Sequence, residues 1–137
     1  MKRLLHAILA SFLLLLVVNV AFAADALAEK DAAFLARYEK VRAALADDKL
    51  DAAQAAAKDL DGATALCAAK SMGDARKAFR LISARAVALA QGRPGFFIAH
   101  CSMYPGGADW VQSTKEISNP YWGKSMLRCG EIVAGND

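Results

Sequence analysis

The strongest structural signal in this chain is the segment MGDARKAFRLISARAVALAQ, which occupies residues 72–91. Ser71 and Asp74 have the spacing of a capping box at its start, and the sequence GRPG at residues 92–95 ends it. Its apolar residues recur at helical spacing on one stripe: Ala75, Phe79, Ile82, Ala86 and Leu89. The segment is therefore predicted to be a long amphipathic helix, with a solvated charged face made of Arg76, Lys77, Arg80 and Arg85.

Upstream of this helix, the chain from residue 24 onward is rich in alanine and contains no proline. A second apolar stripe predicts a helix over residues 28–46, and it consists of Phe34, Tyr38, Val41 and Leu45. A further helix is predicted to begin with Asp48 as its cap and to end at Gly62, followed by a helical turn over residues 63–70. Because alanine-heavy faces are thin, these helices should pack antiparallel with closely spaced axes.

Downstream, residues 92–137 contain all three prolines and both tryptophans, a composition typical of turns and short elements. The run FFIA at residues 96–99 is predicted to be buried extended chain. Asn119 followed by Pro120 is a strong helix start, so a short terminal helix is predicted from Pro120 to Cys129, closed by Gly130. The predicted fold class is all-α: an Ala-rich antiparallel bundle of about three to four helices with a compact, loop-rich C-terminal tail.

The N-terminus has the layout of a secretory signal peptide. Lys2 and Arg3 precede an apolar core, and AFA at residues 21–23 matches the small-x-small pattern at which signal peptidase cleaves. We therefore expect residues 1–23 to be removed, residues 24–137 to form a single domain, and the protein to be periplasmic or secreted. The alternative is an uncleaved membrane anchor.

The charge balance excludes some partners. The chain carries 17 Lys+Arg against 14 Asp+Glu, and Lys2 and Arg3 leave with the signal peptide. A nearly neutral mature chain offers no support for binding nucleic acid, or for binding a membrane after cleavage.

Two separated segments of the tail each carry a thiol and a thioether. The first offers His100, Cys101 and Met103, and the second offers Met126 and Cys129. Thiolate, thioether and imidazole are soft or borderline ligands that select Cu(I), Ag(I) or Zn(II), and the methionines favour the monovalent ions. The tail is predicted to bring both segments to one point and to bind a metal ion there, Cu(I) or Ag(I), with His100 as an auxiliary ligand.

Other interpretations of the same residues remain open. In an oxidising compartment, Cys101 and Cys129 could instead form a disulfide, which would close a loop of about 28 residues and stabilise the fold by roughly 3–4 kcal/mol. Metal and disulfide exclude each other at any instant but can alternate with redox state. Met126 with Trp122 at helical spacing equally fits core packing. Cys67, in the helical half, is predicted to be a small buried apolar residue.

Catalysis has little support in this sequence. No Walker loop, dinucleotide fingerprint, HExxH or CxxC motif is present. His100 stands next to Cys101 as a candidate base, but adjacent residues of a strand point to opposite faces. We therefore expect a protein that is not an enzyme.

The tail also contains uncommon residues in a distinctive order: Cys101-Ser102-Met103, Gly106-Gly107, Trp110, Asn119-Pro120-Tyr121-Trp122-Gly123, Met126 and Cys129-Gly130. This pattern resembles a bacterial domain family of unknown function that is known for an Asn-Pro-Tyr motif. Members of that family occur as secreted single-domain proteins and as extensions of periplasmic adaptor subunits in heavy-metal efflux systems of the copper/silver type. Ser102 departs from the proline usual in the family, which leaves the donor atoms unchanged but makes the backbone less rigid.

The resemblance implies a helical bundle with a compact tail and a setting in metal handling. The first hypothesis is a periplasmic module that captures Cu(I) or Ag(I) and releases it by ligand exchange. The alternative is a non-catalytic structural or interaction module with a Cys101–Cys129 disulfide, which docks on an efflux adaptor or another envelope protein.

Overall fold

The computed structural model describes residues 28–135. The chain divides into two units, Met1–Ala33 and Phe34–Asp137. The predicted signal peptide, residues 1–23, lies outside the described residues. Within the described part, no helix combines the length and apolar character needed to cross a membrane.

The described chain contains both helices and strands. Helix α1 covers residues 28–46 and is followed by α2 (Leu50–Ala57), α3 (Thr64–Cys67) and α4 (Met72–Ala90). The tail forms strands β1 (Phe97–Cys101), β2 (Ala108–Gln112) and β3 (Glu131–Gly135), with a 3₁₀ turn at Gly123–Met126. The all-α prediction is therefore wrong, because the tail folds into a sheet and the molecule is mixed α/β.

The sheet is antiparallel, with three strands in the order β2-β1-β3. The central strand, β1, contains most of the run predicted as buried extended chain, and that prediction is confirmed. In the register, His100 lies opposite Asp109 on one side and opposite Glu131 on the other. The two outer strands were not predicted from the sequence. Strand β2 is buried at four of five positions, and β3 is mostly exposed. Neither strand alternates between apolar and polar residues as a half-buried strand does.

The helical half follows the sequence more closely. The side chain of Ser71 accepts a hydrogen bond from the Asp74 backbone N–H, which confirms the predicted start of α4. The stripe of α1 from Phe34 to Leu45 is buried as predicted. Asp48, however, does not cap α2: its φ is +60° and the cap position belongs to Lys49, which makes no side-chain cap bond.

The predicted terminal helix from Pro120 to Cys129 is wrong. Only the 3₁₀ turn Gly123–Met126 forms there, because Gly123 has a φ of +57°. That conformation interrupts a right-handed helix and is readily adopted only by glycine.

The sheet packs on α4, mainly through β2. Tyr38 of α1 joins these layers: its buried hydroxyl lies 3.0 Å from Ser83 Oγ and accepts from the Val111 N–H at 3.0 Å. Ser83 Oγ donates its only proton to Asp109 O at 2.7 Å, so Tyr38 must donate to Ser83. Burial raises the pKa of Tyr38, which keeps the hydroxyl a donor. The hairpin of β1 and β2 is therefore fixed relative to both long helices.

Candidate functional site

The two tail cysteines lie side by side. Cys101 is the last residue of β1, and Cys129 precedes β3, which pairs with β1. Their Sγ atoms are 3.1 Å apart and are not bonded to each other. The prediction that the two sulfur-bearing segments meet is confirmed for the thiols. Cys101 is 1% exposed, whereas Cys129 is half-buried. Solvent therefore reaches the pair at Cys129 and not at Cys101.

Gly130 makes this approach sterically possible. A Cβ on residue 130 would lie 2.7 Å from Cη2 of Trp110 and 2.8 Å from the carbonyl oxygen of His100. Both distances are too short for a carbon atom, and the φ of +130° is unfavourable for other residues. A glycine directly after Cys129 therefore lets the chain pass close to β1 and places the thiol beside Cys101.

Asn119 organises the backbone around the pair. It is fully buried, and its Oδ1 accepts from the N–H groups of Tyr121 at 2.8 Å and Trp122 at 3.2 Å. Its Nδ2 donates to the carbonyl oxygen of Cys129 at 2.7 Å. The Asn119 amide is also among the groups that lower the pKa of the Cys101 thiol. The sequence predicted a helix cap at this position, and a cap of the turn is what Oδ1 provides. No feature of the sequence indicated that Asn119 would also donate to the backbone of Cys129.

The two thiols differ in electrostatic environment. Burial alone would raise the pKa of Cys101, but the hydrogen bond from Cys129 and those from Tyr104 N–H, Met103 N–H and the Asn119 amide outweigh burial and lower it. The hydrogen bond to Cys101 raises the pKa of Cys129, and burial and the charge of Cys101 act in the same direction. Of the two thiols, the buried Cys101 is therefore the one that loses its proton more readily.

The other predicted ligands are arranged differently. Met103 is 63% exposed in the turn after β1, and Met126 is half-buried in the 3₁₀ turn before Cys129. His100 Nδ1 bonds Asp109 Oδ1 at 2.7 Å, and the imidazole lines a cleft of about 350 Å³ together with Arg80 and Tyr121. Within residues 28–135, no three His, Cys, Asp or Glu side chains are placed to hold one metal ion. The structure therefore brings the cysteines together without adding His100 to them.

Two arginines of α4 attach the tail to the helices. Arg76 Nε donates to Pro120 O at 2.9 Å, and its Nη2 donates to Leu45 O at 3.1 Å. One turn later, Arg80 donates to Pro105 O at 3.0 Å and Gly107 O at 2.8 Å. The prediction of a solvated charged face is wrong for Arg76, which is largely buried. Arg80 is exposed as predicted, although its guanidinium also satisfies turn carbonyls. Nothing in the sequence distinguishes these arginines from Lys77, which is exposed.

Cys67 lies apart from the pair in the sequence and in its contacts. Its half-buried thiol donates a weak hydrogen bond to Gln54 O at 3.9 Å. The Gln54 side chain in turn donates to the carbonyl of Cys67 at 3.0 Å. Cys67 therefore serves as a natural control for experiments on the other two thiols.

No protein-family model, curated protein or solved structure matches the chain.

Proposed function

We propose that this protein binds a soft monovalent cation, Cu(I) or Ag(I), between the thiol sulfurs of Cys101 and Cys129 and carries it as cargo in the periplasm. The observation that supports this proposal is the 3.1 Å separation of the two sulfurs. Metals bind the thiolate form of cysteine, and the hydrogen bonds to Cys101 favour that form before any ion arrives.

The donor set indicates which cation fits. Structural zinc sites use four His, Cys or carboxylate ligands, and the described residues offer no such group of three or more. Calcium and magnesium require oxygen ligands. Two thiolates, alone or with thioethers, suit Cu(I) and Ag(I). Met103 lies two residues after Cys101 and Met126 lies three residues before Cys129, and we propose their thioether sulfurs as the additional ligands.

The exposure of the sulfurs supports capture and release by ligand exchange. Met103, 63% exposed, presents a neutral soft donor at the surface. Cys129 is reachable from solvent, whereas Cys101 is not. A cation would first meet the exposed sulfurs and then the buried thiolate, and a partner with competing thiols would remove it by the reverse route. The resemblance to domains appended to copper/silver efflux adaptors is consistent with such a partner.

Anaerobic titration of Cu(I) into the fully reduced protein, with a chromophoric chelator as competitor, tests the proposal. We expect uptake of about one Cu(I) per chain. The double variant Cys101→Ser/Cys129→Ser should lose this uptake, and Cys67→Ser should retain it. His100→Ala should also retain it, since that imidazole is bonded to Asp109. Absence of uptake, or uptake unchanged in the double variant, would reject the proposal.

The same sulfur geometry also supports the second candidate, a structural or interaction module with a permanent Cys101–Cys129 disulfide. Thiol alkylation of protein taken directly from the periplasm separates the two functions. A metal carrier should yield protein in which the pair can be alkylated after the metal is chelated. A permanent disulfide should leave both residues unmodified while Cys67 reacts.

A further inference from the structure

We infer that the Cys101–Cys129 pair is a reversible dithiol–disulfide couple with a fixed polarity, in which Cys129 is the sulfur that exchanges with external thiols and Cys101 is the sulfur that leaves. The inference rests on the proposed function, because the disulfide form lacks the thiolates that bind a cation. Oxidation would therefore release the metal and close the site.

The exposure of the two sulfurs sets this polarity. Thiol–disulfide exchange requires an attacking thiolate to reach one sulfur of the disulfide. Cys101 is 1% exposed at the end of the central strand, and Cys129 is half-buried in the segment before the outer strand β3. An external thiol thus has access to Cys129 and not to Cys101.

The site of attack also determines which sulfur leaves. When an external thiolate attacks one sulfur, the other sulfur must leave with the electron pair of the S–S bond. Attack on the accessible Cys129 therefore makes the buried sulfur of Cys101 the leaving group.

The reduction proceeds in two balanced steps. A thiolate RS⁻ attacks Sγ of Cys129, the S–S bond breaks, and Cys101 leaves as a thiolate, which gives a mixed disulfide between R and Cys129. A second thiolate then attacks the sulfur of R, which forms R–S–S–R and releases Cys129, and Cys129 takes a proton from water. In sum, two external thiols are oxidised to one disulfide and the protein disulfide is reduced to two thiols. Oxidation by an external disulfide follows the same path backwards.

Peptide mapping of the mixed disulfide tests the polarity. The oxidised protein, carrying Cys67→Ser so that only the pair reacts, is pulsed with reduced glutathione and quenched in acid. Trypsin cuts after Lys115 and Arg128, so Cys101 and Cys129 fall on separate peptides. We expect the glutathione adduct on the Cys129 peptide in about tenfold or greater excess. An adduct equally or mainly on the Cys101 peptide, or no reduction by glutathione, would overturn the inference.

Single-cysteine variants provide a second measurement. With Cys101→Ser, the remaining Cys129 should form a stable mixed disulfide with oxidised glutathione. With Cys129→Ser, the remaining Cys101 should react at least about tenfold more slowly. Equal rates in two folded variants would contradict the inference. If a variant does not fold, the mapping with the intact pair decides alone.

Cu(I) titration of the oxidised and the glutathione-reduced protein tests the link to metal binding. We expect uptake only after reduction, and equal uptake by both forms would refute redox control. If the reduced protein takes up no Cu(I), the proposed function fails, while the position of the glutathione adduct still decides the polarity. The two failures are therefore distinguishable.

Discussion

At the scale of single residues, Arg76 contributes more than its place on a charged helix face suggests. Its side chain is 14% exposed and reaches the end of α1, the loop after α1 and the Asn119-Pro120 turn. Asp48 completes the contact: one carboxylate oxygen pairs with Arg76 and the other accepts the Lys124 N–H at 3.1 Å. A sequence pattern cannot identify such a residue, because two of these partners are backbone carbonyls, which every residue has.

We expect Arg76→Ala to lower the free energy of unfolding by about 2 kcal/mol, because carbonyls of the buried residues Leu45 and Pro120 lose their donor. The matched control is Lys77→Ala, one position further on α4 and exposed, which should change stability by less than about 0.5 kcal/mol. Urea denaturation measures both. A similarly small effect for both variants would show that water molecules replace the guanidinium as donors to these carbonyls.

The Arg76 contact also has a pH signature. Burial alone would raise the pKa of the Asp48 carboxyl, but the hydrogen bonds from Arg76 and the Lys124 N–H lower it. Stabilisation from a lowered carboxyl pKa is complete above the ordinary value of about 4 and is lost as pH falls through the folded value. Because Asp48 is 38% exposed, we expect the stabilisation that depends on its ionised carboxylate to be about 0.5–1 kcal/mol. The difference in free energy of unfolding between the parent and Arg76→Ala should therefore shrink by that amount as the pH falls below about 4.

At the scale of elements, local signals determined what could be predicted. The first and last long helices were predictable because their apolar stripes and the Ser71 cap lie within each segment. Strands β2 and β3 were not, because each depends on pairing with β1 rather than on its own alternation. The terminal helix was predicted wrongly although its start signal is local. Asn119-Pro120 marks the start of a turn, but the positive φ of Gly123 prevents a helix from continuing beyond it.

Gly123→Ala tests whether that turn is essential. A φ of +57° costs a side chain about 1–2 kcal/mol, and the added Cβ would overlap the Asp48 carboxylate and the Arg76 guanidinium. We expect a total loss of about 2–4 kcal/mol in thermal or urea unfolding. Gly73→Ala, in the first turn of α4, is the control: its Cβ would meet only Ser71 Oγ at 3.7 Å, so a gain of up to about 1 kcal/mol is expected. A neutral Gly123→Ala would mean that the turn readjusts.

At the scale of the whole molecule, the fold joins a helical half to a sheet whose last strand carries the chain back to Cys101. The donor atoms of the candidate site could be identified from sequence, since thiols and thioethers are rare and clustered. Their arrangement could not, because it depends on Gly130 passing close to Trp110 and on the Asn119 amide holding the carbonyl of Cys129. The β1–β3 pairing brings Cys129 to Cys101, whereas the β1–β2 pairing places His100 opposite Asp109, to which it bonds in the cleft.

Oxidation of the pair should therefore act on the stability of the whole fold. A bond between Cys101 and Cys129 would enclose β2 and the 3₁₀ turn in one loop, and a loop of about 28 residues removes roughly 3–4 kcal/mol of chain entropy from the unfolded state. The sulfurs are already 3.1 Å apart, so little rearrangement is required. We expect the oxidised protein to be about 3 kcal/mol more stable than the reduced protein in urea.

Carrying out this comparison in a Cys67→Ser background keeps the third thiol from forming other disulfides. The double variant Cys101→Ser/Cys129→Ser should behave like the reduced protein under both conditions, because it cannot form the loop. An oxidised form no more stable than the reduced form would show that bonding the sulfurs strains the β1–β3 pairing. In that case the reduced pair would be the state that the fold favours, and a cation rather than a disulfide would be the more stabilising occupant of this site.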